Sequence, residues 1–166
     1  MCQMKYIAKN LEETQKIAGD FVKKIISSPG EEKSATVVGL YGDLGAGKTS
    51  FTQGVAQALG VLENVVSPTF VIMKKYGIEV REKREETRNS SNLQPLISSL
   101  YYLIHIDAYR IEKSSELLHL GWQEMISDPK NLILIEWPER VSDIMPEHIH
   151  INFSHVAGDG REIEIK

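Results

Sequence analysis

One cysteine, Cys2, in 166 residues leaves no internal disulfide to staple the fold, and its segment is expected to fray, so it is read as incidental. The five histidines show no metal-ligand spacing with it, which argues against a zinc site. No apolar run approaches the roughly 20 residues of a membrane helix. The opening stretch MCQMKYIAKN also lacks an apolar core followed by a small-residue cleavage site, so a cytoplasmic location is expected. There is no excess of basic charge: the formal net charge of -4 disfavours the chain as a whole lying along a nucleic-acid backbone. A role on nucleic acid would run through a partner or a local patch. No internal repeat or second domain is seen, so one domain over 1–166 is expected. With 42% hydrophobic and 25% charged residues the chain has the make-up of an ordinary globular protein, against disordered, collagen-like or coiled-coil readings.

Helical spacing runs through NLEETQKIAGDFVKKIIS, where Leu11, Thr14, Ala18, Phe21, Val22 and Ile25 share a stripe, with Asn10 as cap and Glu13 three residues on. SPGEEKS breaks it. ATVVGLYG is almost wholly apolar, as in a strand buried on both faces. After it, KTSFTQGVAQALG spaces Phe51, Val55 and Leu59 by four and stops at Gly60. VVSPTFVIMKKYGI reads as a strand entered through Pro68, LYYLIHIDAYR as another, SSELLHLGWQEMI as one short capped helix and NLILIEW as a strand ending in an acid. HIHINFSHVAGDGREIEIK alternates around a glycine turn, the mark of an antiparallel hairpin. The polar stretch 77–99 is expected to be an exposed hairpin insertion. Strands joined without intervening helices favour a mixed sheet over a wholly parallel one.

Between the second apolar run and its helix lies GDLGAGKT. Gly42, four residues, then Gly47, Lys48 and Thr49 match the phosphate-binding loop in full, in the strand, loop and helix context that the motif requires. Glycines let the backbone close on phosphate oxygens with several N–H groups turned inward, and the helix start adds partial positive charge. Lys48 would neutralise outer phosphates and Thr49 would offer a hydroxyl to magnesium. Magnesium also asks for a carboxylate at the end of a neighbouring strand, and Asp107 and Glu136 both stand at such ends. One would hold the ion and the other orient the attacking water; spacing does not assign the roles. Thr69 could bond a terminal phosphate or only close a turn. His105 shares a strand face with Asp107 and reads first as a structural histidine. Trp137 could pack or stack, and Arg161 could reach the nucleotide or face solvent. The basic residues of 74–88 are interleaved with glutamates, the usual pattern of a solvated surface.

Taken together, LYGDLGAGKTSF, SPTF, HIDAYR, LGWQEM, LILIEWPER and the terminal GRE, in that order, closely resemble the TsaE family, formerly called YjeE, over nearly the whole chain. The resemblance implies a single-domain α/β P-loop NTPase with a mixed parallel and antiparallel sheet flanked by helices. It implies the ATPase component of the bacterial machinery that makes threonylcarbamoyladenosine in tRNA, acting on the TsaB and TsaD subunits and weakly active alone. Its implied cofactors are ATP and Mg2+. Carried over by motif, Asp43, Leu44, Gly45, Ala46, Gly47, Lys48 and Thr49 would bind phosphates, and Thr49 and Glu136 would hold magnesium. Asp107 would support hydrolysis and Thr69 sense the terminal phosphate. Trp137 would shape the site, Arg161 contact the nucleotide, and Leu11 to Thr14 lie near the base. The stretch from Gly77 to about Ser99 is longer than the family's usual connection.

Three other readings compete. A small-molecule kinase would share the loop and acids, but it needs an acceptor pocket and an arginine-bearing lid, and the insertion carries nearly as many acids as bases. A GTPase would want an Asn-Lys-x-Asp element, which is missing. A module that binds ATP without turnover leaves the two strand-end acids unexplained.

Overall fold

The computed structural model describes residues 3–27, 33–78, 100–156, 158 and 160–166. From residue 79 onward the expected insertion lies outside the described residues, as does Cys2. Seven strands form one sheet: β1 (Met4–Ala8), β2 (Thr36–Tyr41), β3 (Met73–Gly77), β4 (Tyr102–Asp107), β5 (Asn131–Glu136), β6 (Ile149–His155) and β7 (Arg161–Ile165). The order across the sheet is β1-β7-β6-β2-β5-β4-β3. The central four, β6, β2, β5 and β4, run parallel, whereas β3 is antiparallel to β4 and β7 is antiparallel to both β6 and β1. This is the expected mixed α/β sheet.

Two helices, α1 (Leu11–Ser27) and α2 (Lys48–Ala58), cover one face. Asn10 caps α1 through its side-chain oxygen, which accepts the Glu13 N–H at 2.9 Å. The Glu13 carboxylate reaches back to the Lys9 N–H at 2.7 Å. The helices touch closely because position 54 lacks a side chain: a Cβ there would stand 2.6 Å from the Gln15 Cα. Phe21, Val22, Phe51 and Val55 pack with Val38, Leu40, Leu132 and Leu134 to form the core of this face. On the other face, Trp122 and Leu117 pack against Val37, Ile104, Ile133 and Ile135. β2 and β5 are thus buried on both sides, which is why their sequences are nearly all apolar.

Three details differ from the sequence reading. The edge strand β1 is additional, paired with β7 from Met4 to Ala8. Residues 65–72 are not strand: the Val71 N–H closes a turn onto the Pro68 carbonyl at 2.9 Å, the Met73 N–H bonds the Val71 carbonyl at 2.8 Å, and pairing starts only at Met73. The single helix expected at 114–126 is two, α3 (Ser115–His119) and α4 (Trp122–Ser127), divided at Gly121 with φ +85°. Only glycine turns the chain that way without strain.

Candidate functional site

β2 delivers the chain to the loop and α2 takes it away. At Gly42, φ is +135°, and a Cβ would sit 2.4 Å from the Phe153 carbonyl oxygen, so the loop begins pressed against β6. Gly47 has φ +107°, and a Cβ there would meet the Arg161 side chain at 3.1 Å. Neither position has room for a side chain, so only glycine lets the backbone pass there with its N–H groups turned toward an anion. Asp43, Leu44 and Gly45 are exposed, while Ala46 is buried and anchors the loop. Arg161 enters from β7, where it pairs with Ala8 and His155.

Lys48 opens α2 and is nearly buried. Its ammonium donates to the carbonyls of Gly42 at 2.5 Å and Asp43 at 2.8 Å, and it lies 4.0 Å from the Trp137 ring centroid. Burial pushes its pKa below the usual lysine value, against the upward pull of Glu136, Glu139, Asp107 and Asp43. Trp137 follows β5 in a left-handed conformation, φ +59°, that turns the chain into the short 3-10 helix Pro138–Val141. Its ring also packs on Tyr109 at 5.1 Å.

Asp107 and Glu136 end β4 and β5 as register partners. Both face α2, and each is only 4% exposed. The Thr49 hydroxyl donates to Glu136 Oε1 at 2.7 Å, joining the loop to the strand-end acid. His105, fully buried, bonds the same oxygen through Nε2 at 2.9 Å. Asp107 Oδ2 accepts from the Ser67 hydroxyl at 3.0 Å and also from the Thr69 hydroxyl, while Oδ1 accepts the Tyr109 N–H at 3.0 Å. The loop at 65–72 is therefore tied to the second acid by two hydroxyls. It leaves this grip through Ile72 at φ +65°, a conformation unusual for a β-branched residue.

Of the residues named from sequence, the structure brings together Lys48, Thr49, Asp107, Glu136, Thr69, Trp137 and, at the rim of the loop, Arg161. Leu11 is 52% exposed at the start of α1, whereas Thr14 is buried with its hydroxyl on the Asn10 carbonyl at 3.2 Å. Ser67 is not among the residues named from sequence, and His105 is named there first as a structural histidine. Ser67 carries its signal only in standing two residues before Thr69, and the bond from His105 to Glu136 depends on a strand register that spacing does not supply.

The donors suit the groups expected here. Glycine-lined backbone and a buried cation match phosphate oxygens, while a hydroxyl and two carboxylates offer the hard oxygen ligands that magnesium prefers. Among the described residues, no group of three or more histidine, cysteine or acidic side chains forms a ready-made metal cage. Magnesium does not require one, since it usually keeps several waters and shares phosphate oxygens. Nor is any described helix long and apolar enough to cross a membrane.

A strand, glycine loop and helix at the centre of a mixed sheet, with two acids ending strands beside the loop, define an α/β protein whose sequence carries the phosphate-loop spacing. The family model for threonylcarbamoyl adenosine biosynthesis protein TsaE matches residues 8–163. A tRNA threonylcarbamoyladenosine biosynthesis protein TsaE from Bacillus subtilis is 34% identical over 164 residues, 98% of this chain and 85% of the relative. Relatives of the same name from Haemophilus influenzae and Treponema pallidum are 32% and 31% identical, covering 80% of this chain and 71% and 83% of their own lengths. The crystal structure of Bacillus subtilis YdiB superposes with a TM-score of 0.62 at 28% identity, over 98% of this chain and 84% of that one. The chain belongs to the TsaE family, as its motifs indicated.

Proposed function

We propose that this chain binds ATP with Mg2+ at the glycine loop and hydrolyses it to support N6-threonylcarbamoyladenosine modification of tRNA. It would do so in the cytoplasm as the ATPase that acts on the TsaB and TsaD subunits, meeting tRNA only through that complex. The observation that carries this reading is the 2.7 Å bond between Thr49 and Glu136, which puts the loop hydroxyl and a strand-end carboxylate at one point.

Lys48 would exchange two neutral carbonyl acceptors for charged phosphate oxygens, a stronger pairing for a partly desolvated ammonium. Backbone N–H groups of 43–49 and the start of α2 would hold the remaining phosphate charge. Thr49 and Glu136 would hold magnesium, which when bound neutralises charge on the outer phosphates. Asp107 would orient and deprotonate the attacking water, and Thr69 would shift its hydroxyl from Asp107 to the terminal phosphate. Arg161 would contact the phosphates from the β7 side. Such chemistry is mainly positioning and charge stabilisation, so a missing partner contact lowers turnover by orders of magnitude without loss of binding. Weak activity of the isolated chain is the expected behaviour.

The test is ATP hydrolysis by the purified chain with Mg2+, with and without TsaB and TsaD, beside a Glu136→Ala control. Turnover that rises with the partners and disappears in the variant supports the reading. Tight ATP binding without hydrolysis under every condition removes it and directs the search to a phosphoryl acceptor.

A further inference from the structure

Behind Glu136 lies a buried titratable side chain that the proposed chemistry leaves unused. His105 lies on β4 between Leu103 and Asp107 on the face toward α2, opposite Leu134 of β5 in register. It has no exposed surface. Its Nε2 is 2.9 Å from Glu136 Oε1, and its Nδ1 is buried with no hydrogen-bond partner among the described residues. A carboxylate oxygen only accepts, so Nε2 carries the hydrogen of this bond. An imidazole placed this way costs the fold a desolvated, unsatisfied nitrogen, and the bond to Glu136 is what it gives in return.

The bonds to Glu136 fall on one side. Oε1 accepts from both His105 and Thr49. Two donors on one oxygen fix the rotation of the carboxylate. Thr49 cannot keep this arrangement alone, because its hydroxyl is itself wanted by the metal. His105 stays behind Glu136 whatever Thr49 does, since its strand is locked between β3 and β5.

We infer that His105 is a positioning residue: its Nε2–H holds the Glu136 carboxylate in the orientation that binds the divalent cation, and it does not itself touch nucleotide or metal. The inference rests on the reading of Glu136 as a magnesium ligand given above. Donors behind metal-ligating groups typically govern metal affinity by 10 to 100-fold, without contact to the ion.

The test uses the full chain with fluorescent ADP, titrated with and without Mg2+, in the parent, His105→Phe and His105→Gln. Glutamine places an N–H near the Nε2 position; phenylalanine fills the space with none. His105→Phe is expected to lose about 10-fold or more of the Mg2+-coupled gain in nucleotide affinity, with metal-free affinity unchanged, and His105→Gln to recover most of it. A His105→Phe protein that keeps the whole Mg2+ gain overturns the inference, as does a glutamine variant no better than phenylalanine. A parent with no Mg2+ gain removes the metal reading itself and the inference with it, a result distinct from either of those. Nitrogen NMR of the parent keeps the idea exposed even where a variant fails to fold. The His105 ring must carry hydrogen on Nε2, and its signal must move in Glu136→Ala; a ring with no hydrogen on Nε2 overturns the inference.

Discussion

Asp107 and Glu136 are register partners at the ends of neighbouring parallel strands, yet each carboxylate takes its hydrogen bonds from a different part of the chain. Asp107 is held by Ser67, Thr69 and the Tyr109 backbone, Glu136 by Thr49 and His105. Two adjacent acids with separate supports are suited to separate tasks. Asp107→Asn is expected to lower kcat by about 10²–10⁴-fold with nucleotide affinity within a few-fold of the parent. Glu136→Gln should instead weaken Mg2+-dependent binding first. Single-turnover hydrolysis beside equilibrium titration separates the two; equal losses of binding in both variants would contradict the division.

Trp137 reports on the site directly, because its ring lies 4.0 Å from the Lys48 ammonium while the other tryptophan, Trp122, is buried on the opposite face with its indole N–H on the Ile144 carbonyl. When phosphate draws Lys48 away from the ring, tryptophan emission should change. Trp137→Phe should abolish that change while leaving binding within about 10-fold, as expected for a cation–π contact of roughly 1 kcal/mol. A response that persists in the variant would place its source at Trp122.

Nucleotide affinity should fall on the alkaline side. Burial lowers the Lys48 pKa in the free protein, and phosphate binding favours its charged form and raises the pKa again. Binding therefore takes up a proton wherever Lys48 is partly neutral. Below the lowered pKa affinity is flat, and above it affinity drops by up to tenfold per pH unit until the bound-state pKa is passed. Calorimetry in buffers of different ionisation enthalpy, at pH 7 and above pH 9, would register that proton; identical heats corrected for buffer at both pH values would exclude Lys48 as its source.

Gly54→Ala tests the packing that carries the loop. Alanine is the better helix former by roughly 1 kcal/mol. Here its methyl would meet the Gln15 backbone at 2.6 Å and the Ala18 Cβ at 2.8 Å. Overpacking of this kind costs about 1–3 kcal/mol, so a net loss of about 1 kcal/mol is expected, seen as a lower urea midpoint with an unchanged slope. A raised midpoint would mean that the helices separate freely.

Much of this architecture could be read because local chemistry and tertiary role agree. The stripe from Leu11 to Ile26 gives α1, the unbroken apolar runs give the doubly covered β2 and β5, and the glycine loop sits where strand passes to helix. What escaped reading depends on distant partners. MKYIA is short and half exposed, and becomes a strand only by pairing with residues 161–165. Residues 65–72 carry β-branched and aromatic side chains typical of strands, but Pro68 and the pull of Asp107 on two hydroxyls bend them into a loop. His105 could be seen to share a face with Asp107, whereas its attachment to Glu136 follows from the register of β4 on β5.

The order of strands also sets when the site can exist during synthesis. β2, which carries the loop, has both of its hydrogen-bonded neighbours, β5 and β6, far downstream in the chain. Gly42 leans on Phe153, and Arg161 is added last. As a nascent chain leaves the ribosome, the loop emerges early but has no sheet to stand in until residues beyond 150 follow it out. Long-range pairings of this kind form late and slowly. A ribosome-bound fragment that ends before β5 should therefore be inert toward nucleotide, with loop and acids gaining their geometry together as the hairpin of β6 and β7 closes.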